Sequence, residues 1–383
     1  MRNTAWRYIS EDNVSASYGL AADEFLIYKT ALNDRRQAAL RLYNYQDHCV
    51  LSGRFQDLAT EIDVDKCKEL GYPFSRRLTG GGAIIMGGDQ LGICLATHSD
   101  FVSYEHVREL YHLFSKPVIN ALSDLGINAS FRSKNDLEVD GKKIAGLGVH
   151  ISPEGGIQFH TSLLIDLDVD VMLKVLKIPV QKYADKVLVR SVEQRTTTIN
   201  RETGGNYQLN EIREMIAGAF SSFFGAELEP APFSVEEKLS INQLEEDKYN
   251  DAGWLFQHSP QDDMTGVGIK KTSGGLLRTY IGLKGNTIKS VMITGDYFDQ
   301  NNLMQKIETD LKWSALDRDK ISKSIAMNFK KDGKAALALG IEVEELTDAI
   351  WLAAQRASAA HRYTYRGSCY YPKEEKEKIT EKV

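Results

Sequence analysis

The chain has 383 residues, 42% of them apolar and 26% charged, and a net charge of −6. That length accommodates two domains, each with its own core, and the composition is that of ordinary globular proteins. The acidic balance gives no general reason for nucleic acid as a partner, and no apolar run approaches the roughly 20 residues that span a bilayer.

Residues 1–6 lack the apolar stretch of a secretion signal, so a cytoplasmic protein is expected, with no membrane partner. Four scattered cysteines (Cys49, Cys67, Cys94, Cys369) form no CxxC pair, which suits a reducing compartment and speaks against a zinc knuckle or disulfide scaffold.

Tyr18, Ala21, Ala22, Phe25, Tyr28 and Leu32 recur at helical spacing, so a helix is expected over residues 15–33. Residues 38–53 read as two short strands, and Asp63 is placed to cap a brief helix that stops at Gly71. Residues 74–98 read as a hairpin or strand pair built around three consecutive glycines. Tyr104, Val107, Leu110, Tyr111, Phe114, Val118 and Leu122 mark a long helix over 103–125, with Pro117 to kink or split it and Gly126 to end it.

Strong β character follows over 129–166. Asp140-Gly141 predicts a tight hairpin turn, and a second turn is expected at Pro153-Glu154-Gly155-Gly156. Another amphipathic helix is expected over 208–225, capped by Asn210 and stopped by Gly225. Two prolines over 229–233 suggest a boundary. Beyond it, strands are expected at 276–283 and 288–293 and helices at 301–311, 317–329 and 344–356.

Short strands mixed with helices, without regular βαβ alternation, predict an α+β fold. A large domain of mixed β-sheets with flanking helices would occupy residues 1–229, and a smaller α+β domain 233–356. A polar, flexible tail would cover 357–383.

No GxxxxGK[ST] phosphate cradle, nucleophile elbow or HExxH metal motif occurs. Three separated stations remain. The first is Arg76-Arg77-Leu78-Thr79-Gly80-Gly81-Gly82-Ala83, where guanidinium forks suited to carboxylate or phosphate abut main chain that something can approach closely. It is read equally well as a glycine-rich turn beside solvated arginines. The second runs from Asn135-Asp136-Leu137 to Gly141-Lys142-Lys143-Ile144-Ala145-Gly146. Taken alone it reads as an exposed hairpin, but Lys143 enters an apolar strand, where an amine needs an anion. The third is His160-Thr161-Ser162-Leu163-Leu164.

Taken in order, these stations resemble the lipoate-protein ligase and octanoyltransferase family, whose segments are RRxSGGGA, NDL…GxKxSG and HGTLL. Weaker echoes lie at Leu20-Ala21-Ala22-Asp23-Glu24, Gly53-Arg54-Phe55-Gln56 and Ser191-Val192-Glu193-Gln194-Arg195. Gly274-Gly275-Leu276-Leu277-Arg278 with Gly295-Asp296-Tyr297-Phe298 resembles the family's C-terminal accessory domain.

The resemblance implies an ATP-dependent ligase that activates lipoate to its adenylate and passes the lipoyl group to a lysine of a carrier, either a lipoyl domain or a glycine-cleavage H-type protein. It implies ATP with Mg²⁺, and Lys143 as the catalytic residue meeting the carboxylate and α-phosphate. Arg77 and Thr79 would hold the acid, with Gly80, Gly81, Gly82 and Ala83 letting the acyl tail lie along the main chain. Gln90, Gly146, His160 and Ser162 would line the cavity, His160 as a positioning group, and Asp136 would orient Lys143 or bind Mg²⁺.

Met86 stands where ligases carry a histidine, and Gln90 leans toward the octanoyltransferase pattern. Octanoyl transfer from an acyl-carrier protein is therefore a competing expectation, and non-catalytic lipoate binding a third. Transferases need a thiol nucleophile, yet Ile157 and Phe131-Arg132-Ser133 occupy the two places where the family carries one.

Overall fold

A strand that alternates large apolar residues with small ones can bury both faces at once, and Gln90–His98 does so at every position. Leu91, Ile93 and Leu95 enter one core, while Cys94 and Ala96 enter another on the opposite face. Around this strand the computed structural model, which describes residues 4–33, 38–132, 135–177, 194–299 and 301–364, builds an α+β fold.

The strands of the main sheet are β1 (Thr4–Val14), β2 (Ala39–Tyr45), β6 (Gln90–His98), β7 (Ser130–Arg132), β8 (Asp136–Val139), β9 (Lys142–Ile151), β10 (Gly156–Leu164) and β11 (Ala226–Pro230). Their order is β11-β1-β2-β6-β10-β9-β8-β7. A small sheet has β3 (Cys49–Ser52) between β4 (Phe74–Arg76) and β5 (Ile84–Met86). Among the described residues up to 259 the helices are α1 (Ala16–Asn33), α2 (Leu58–Glu61), α3 (Val64–Leu70), α4 (Val107–Asp124), α5 (Val169–Val175), α6 (Ile199–Thr203), α7 (Leu209–Phe224), α8 (Val235–Leu244), continued by a π-helical turn over Glu245–Tyr249, and α9 (Ala252–Leu255).

Leu110, Phe114 and Val118 of α4 and Ile212, Ile216 and Phe220 of α7 cover one face of the main sheet. Helix α1 covers part of the other, where the fully buried Ala21 and Ala22 permit close approach. Asp63 accepts from Lys66 N at the start of α3, and Gly71 ends it in the left-handed conformation at φ 71°. Asp140 (φ 48°) and Gly141 (φ 78°) make the tight turn between β8 and β9.

The structure divides into two compact units. The first comprises Met1–Ser259, Gly295–Asn301 and Leu337–Leu339; the second Pro260–Thr294, Asn302–Ala336 and Gly340–Val383. The second holds β12 (Gly266–Lys271), β13 (Leu276–Lys284) and β14 (Thr287–Gly295) up to Thr294, with α10 (Leu303–Leu311), α11 (Arg318–Lys331), α12 (Gly333–Leu339) up to Ala336, and α13 (Val343–Thr364). Gly266 and Gly268 let α13 press onto β12: a Cβ at either would stand 2.1–2.2 Å from a carbonyl oxygen of that helix.

Several expectations are corrected. Residues 74–98 are not a hairpin: β4 and β5 both pair with β3, β4 in parallel and β5 antiparallel, and β6 belongs to the main sheet. Pro117 lies inside an unbroken α4. Gln208, not Asn210, caps α7, in a reciprocal box with Glu211. The prolines over 229–233 do not end the first unit. Strand β11 joins β1 in parallel there, and Phe233 is buried beside α1. Nor does the chain turn to tail at 357: α13 runs to Thr364 and Ala357 is fully buried. Ser133, Ser191–Glu193 and 365–383 lie outside the described residues.

Candidate active site

The three stations meet on the face of the main sheet that α1 partly covers. Strand β10 pairs with β9 so that Ser162 opposes Gly146 and His160 opposes Gly148; on its other side His160 opposes Cys94 of β6. The two β9 glycines make room for functional side chains. A Cβ at Gly146 would lie 3.0 Å from Lys143 Nζ and 2.9 Å from Ser162 Oγ, and one at Gly148 2.8 Å from Thr79 Oγ1. Thr79 Oγ1 and His160 Nδ1 stand 3.4 Å apart.

Lys143 owes its place to a bulge. Leu137 pairs with Ala145 but Glu138 with Lys143, leaving Ile144 as the extra residue. Strict alternation would send Ile144 toward the site and Lys143 into the core. With the bulge, Ile144 joins Leu137 and Ala145 in the core, and the Lys143 amine lies over Gly146. Its Nζ sits 2.7 Å from Asp136 Oδ1, both side chains 30% exposed. The backbone is clamped from outside, Lys143 N donating to Arg195 O (2.7 Å) and Thr197 N to Lys143 O (2.8 Å).

Arg77 is buried, and its guanidinium serves the loop rather than open space. Nη1 donates to Leu51 O (2.5 Å), and Nη2 to Gly80 O (3.3 Å) and Gly82 O (2.9 Å). Burial holds its pKa down at about 10, so it keeps its charge at neutral pH. Burial first, then the charges of Arg77 and Lys143, lower the His160 pKa to about 3, so this imidazole is neutral and a poor base at pH 7. Both cations therefore bear on one imidazole.

The glycine triplet works differently from a bare floor. A Cβ at Gly80 would meet Tyr297 O at 2.3 Å, and one at Gly53 would meet Gly81 O at 1.9 Å. These glycines pack main chain on main chain. Gly81 (φ 93°) faces Asn135 Nδ2, and Gly82 faces the Asp296 carboxylate at 3.8–3.9 Å. Ala83 packs against the apolar cluster behind the small sheet, and Met86 is buried in the cluster with Cys49 and Leu51. Gln90 Nε2 is tied to Asp166 O at 2.8 Å, so its amide serves the turn after β10.

Sequence reasoning gave no role to four neighbours of this cluster. Asn135 Nδ2 donates to Leu147 O (3.2 Å) beside Gly81, and the Tyr111 hydroxyl accepts from Val149 N at 3.2 Å. Burial pushes Tyr111 up to about 12, with Arg77 and Asp136 both acting on it. Gln56 and Asp296 are bonded to each other at 2.8 Å. Asn135, Gln56 and Asp296 stood inside quoted motifs, Asp296 in one 214 residues downstream of Gly82 and read with the accessory domain; Tyr111 was hidden in a helical apolar stripe.

Cys49, Cys67 and Cys94 are buried, and burial raises all three thiols, Cys67 to about 11. Among the described residues no three His, Cys, Asp or Glu gather to hold a metal ion, and no helix is long and apolar enough to cross a membrane. A separate cavity of about 590 Å³, lined by Cys49, Cys67 and Tyr72, contains none of the predicted site residues.

Residues 15–221 match the lipoyl protein ligase A/B catalytic domain. The chain belongs to the lipoyl protein ligase A/B family. Residues 267–350 match the bacterial lipoate protein ligase C-terminus. Octanoyltransferase LipM of Anoxybacillus flavithermus is 26% identical over 286 residues, covering 67% of this chain and 100% of the relative. Lipoate-protein ligase LplJ of Bacillus subtilis is 25% identical over 293 residues, 76% of this chain and 85% of the relative.

The same fold is found in a bi-partite lipoate protein ligase from Thermoplasma acidophilum, solved in a study with its E2 lipoyl domain (TM-score 0.60, 24% identity, 68% of this chain and 99% of that one). It is found again in lipoate-protein ligase A bound with ATP (TM-score 0.56, 22% identity, 66% and 98%). The family comprises ligases and transferases of lipoyl and octanoyl groups, enzymes of protein lipoylation.

Proposed function

We propose that the chain is an ATP-dependent lipoate-protein ligase. The observation that carries this reading is the Lys143 amine, bedded on Gly146 beside Ser162, clamped through its backbone and acting by its charge, like Arg77, on the His160 imidazole. A carboxylate attacking the α-phosphate of ATP concentrates negative charge on the phosphate oxygens. A preplaced cation in a partly enclosed site stabilises that charge without reorganising. Lys143 would exchange Asp136 for the α-phosphate and the lipoate carboxylate, Asp136 holding the amine in place between turnovers.

Arg77 would act indirectly, fixing the carbonyls of Gly80 and Gly82 so that the loop's shape suits the acid, and adding positive potential. Thr79 and Ser162, with neutral His160, would contact the acid as hydrogen-bonding groups. Mg²⁺ would arrive with the nucleotide, whose phosphates supply the hard oxygen ligands it needs. The product adenylate would then acylate a lysine of a carrier; a lipoyl domain is the partner supported by the Thermoplasma pair.

The test is lipoate-dependent exchange of pyrophosphate into ATP, run beside octanoate and biotin. Exchange with lipoate is expected, and its absence with active, folded protein would sink the ligase reading. A second reading, octanoyl transfer from an acyl-carrier protein, is favoured by the LipM relative and by Cys94 standing opposite His160. It needs a thiolate, whereas burial and the adjacent Asp23 hold the Cys94 thiol protonated. Octanoyl transfer without ATP, abolished in Cys94→Ser, would establish it. Bound lipoate with neither activity would leave a binding protein.

A further inference from the structure

A site that gathers Arg77 and Lys143 to hold an anionic adenylate is hostile to its second substrate, because the acceptor lysine arrives as an ammonium ion. The first unit carries a carboxylate placed to meet that difficulty. Segment 295–299 lies against the glycine loop. Gly295 N donates to Phe55 O (2.9 Å), the Tyr297 ring stacks on Phe55 with centroids 5.0 Å apart, and Tyr297 O fills the space beside Gly80. These contacts set Asp296 over Gly82, its carboxylate 3.8–3.9 Å from where a Cβ would stand.

The carboxylate is aimed. Gln56, 1% exposed, accepts from Gly53 N through Oε1 (2.8 Å) and donates through Nε2 to Asp296 Oδ1 (2.8 Å). Arg77 turns its donors to the carbonyls of Leu51, Gly80 and Gly82 and acts on Asp296 through its charge. Asp296 is half-buried, so part of the residue meets solvent.

We propose that Asp296, oriented by Gln56, receives the ammonium group of the acceptor lysine at the edge of the glycine loop; this rests on the ligase reading. The ammonium donates to Asp296 and loses one proton through it to solvent. The neutral nitrogen attacks the acyl carbon of the adenylate, and a C–N bond forms. The bond from that carbon to the phosphate oxygen breaks, its electron pair leaving on AMP. The new amide nitrogen sheds its second proton by the same route. Lys143 stays with the phosphate, so two opposite charges serve the two ends of the reacting bond.

Asp296→Asn in the full chain tests this, because the amide still accepts from Gln56 and keeps the packing. Three rates are compared with the unsubstituted protein: lipoate-dependent pyrophosphate exchange, trapping of preformed lipoyl-adenylate by hydroxylamine, and its single-turnover transfer to a lipoyl domain. Hydroxylamine is neutral at pH 7 and needs no counter-charge.

Transfer to lysine is expected to fall ~tenfold or more relative to both other rates, with its pH profile displaced upward and partial recovery in Asp296→Glu. Transfer unchanged within about twofold overturns the proposal, as does an equal fall in all three rates, which would mark a structural or nucleotide-binding role. A chain that shows no exchange at all refutes the ligase reading instead.

Discussion

Lys143 reaches the site because Ile144 takes the core position that strict alternation would have given it. The amine then lies over Gly146 with Asp136 at 2.7 Å, a geometry held mainly by backbone pairing. Removing the charge should therefore leave the fold intact and remove the stabilisation of the α-phosphate. Lys143→Ala is expected to slow lipoate-dependent exchange at least ~tenfold, with the melting temperature little changed, since a half-exposed lysine adds little packing. Unchanged exchange would take Lys143 out of the chemistry.

His160 supports a second expectation. Its pKa is about 3 in the fold against an ordinary 6.5, so between those values the unfolded chain binds more protons than the native one. Stability from this group is full above pH 6.5 and is lost as pH falls toward 3. His160→Gln should flatten the decline of melting temperature between pH 6.5 and 4.5, above the ordinary glutamate value. An identical slope in both proteins would mean that the imidazole protonates freely.

At this scale the sequence disclosed that Lys143, Thr79, His160 and Ser162 belong together. It did not disclose that Arg77 serves carbonyls, because a buried guanidinium and a ligand-facing one are written with the same letter.

The glycine loop is a packing element before it is a ligand bed. Gly53 and Gly80 stand where a single added carbon would meet backbone oxygen at 1.9 and 2.3 Å, and backbone cannot step aside as a lysine tip can. Gly218 is the contrast: it is exposed inside α7 with nothing within 4 Å of its missing Cβ. Gly53→Ala and Gly80→Ala should each lower the melting temperature by several degrees, the size expected for ~1–3 kcal/mol of strain, and should slow exchange as well. Gly218→Ala should be neutral or stabilising by up to ~1 kcal/mol. Thermal melts of the three variants decide it: equal effects at all three positions would contradict the close approach.

The error over residues 74–98 belongs to this scale too. Hydrophobic patterning finds strands but not their partners, and here β4 and β5 share β3, a segment more than twenty residues earlier. The hairpin β8–β9 was legible because Asp140-Gly141 encodes a local turn; long-range pairings carry no such local mark.

At the scale of the molecule, the order of the chain and the order of the units differ. The prolines over 229–233 look like a hinge, yet β11 and α8 continue the first unit, and segment 295–301 returns to it after three strands of the second. Pattern reading fixes a boundary where composition changes, and it has no means to see a seven-residue return. That return supplies Tyr297, 2% exposed, whose ring covers Phe55 and whose carbonyl faces Gly80.

A fragment ending at Ser259 keeps Lys143, Asp136, Arg77, Thr79 and His160 but loses this cover, exposing Phe55 and freeing the loop that Arg77 organises. It should melt well below the full chain and lose lipoate-dependent exchange. Tyr297→Ala in the full chain should reproduce part of the loss, on the order of 3–5 kcal/mol for a buried aromatic side chain. Tyr297→Phe, which keeps the ring, should cost far less. If the fragment melted with the full chain and exchanged as fast, segment 295–301 would be an ornament on the first unit rather than a wall of it, and Asp296 would lose its claim on the acceptor lysine as well.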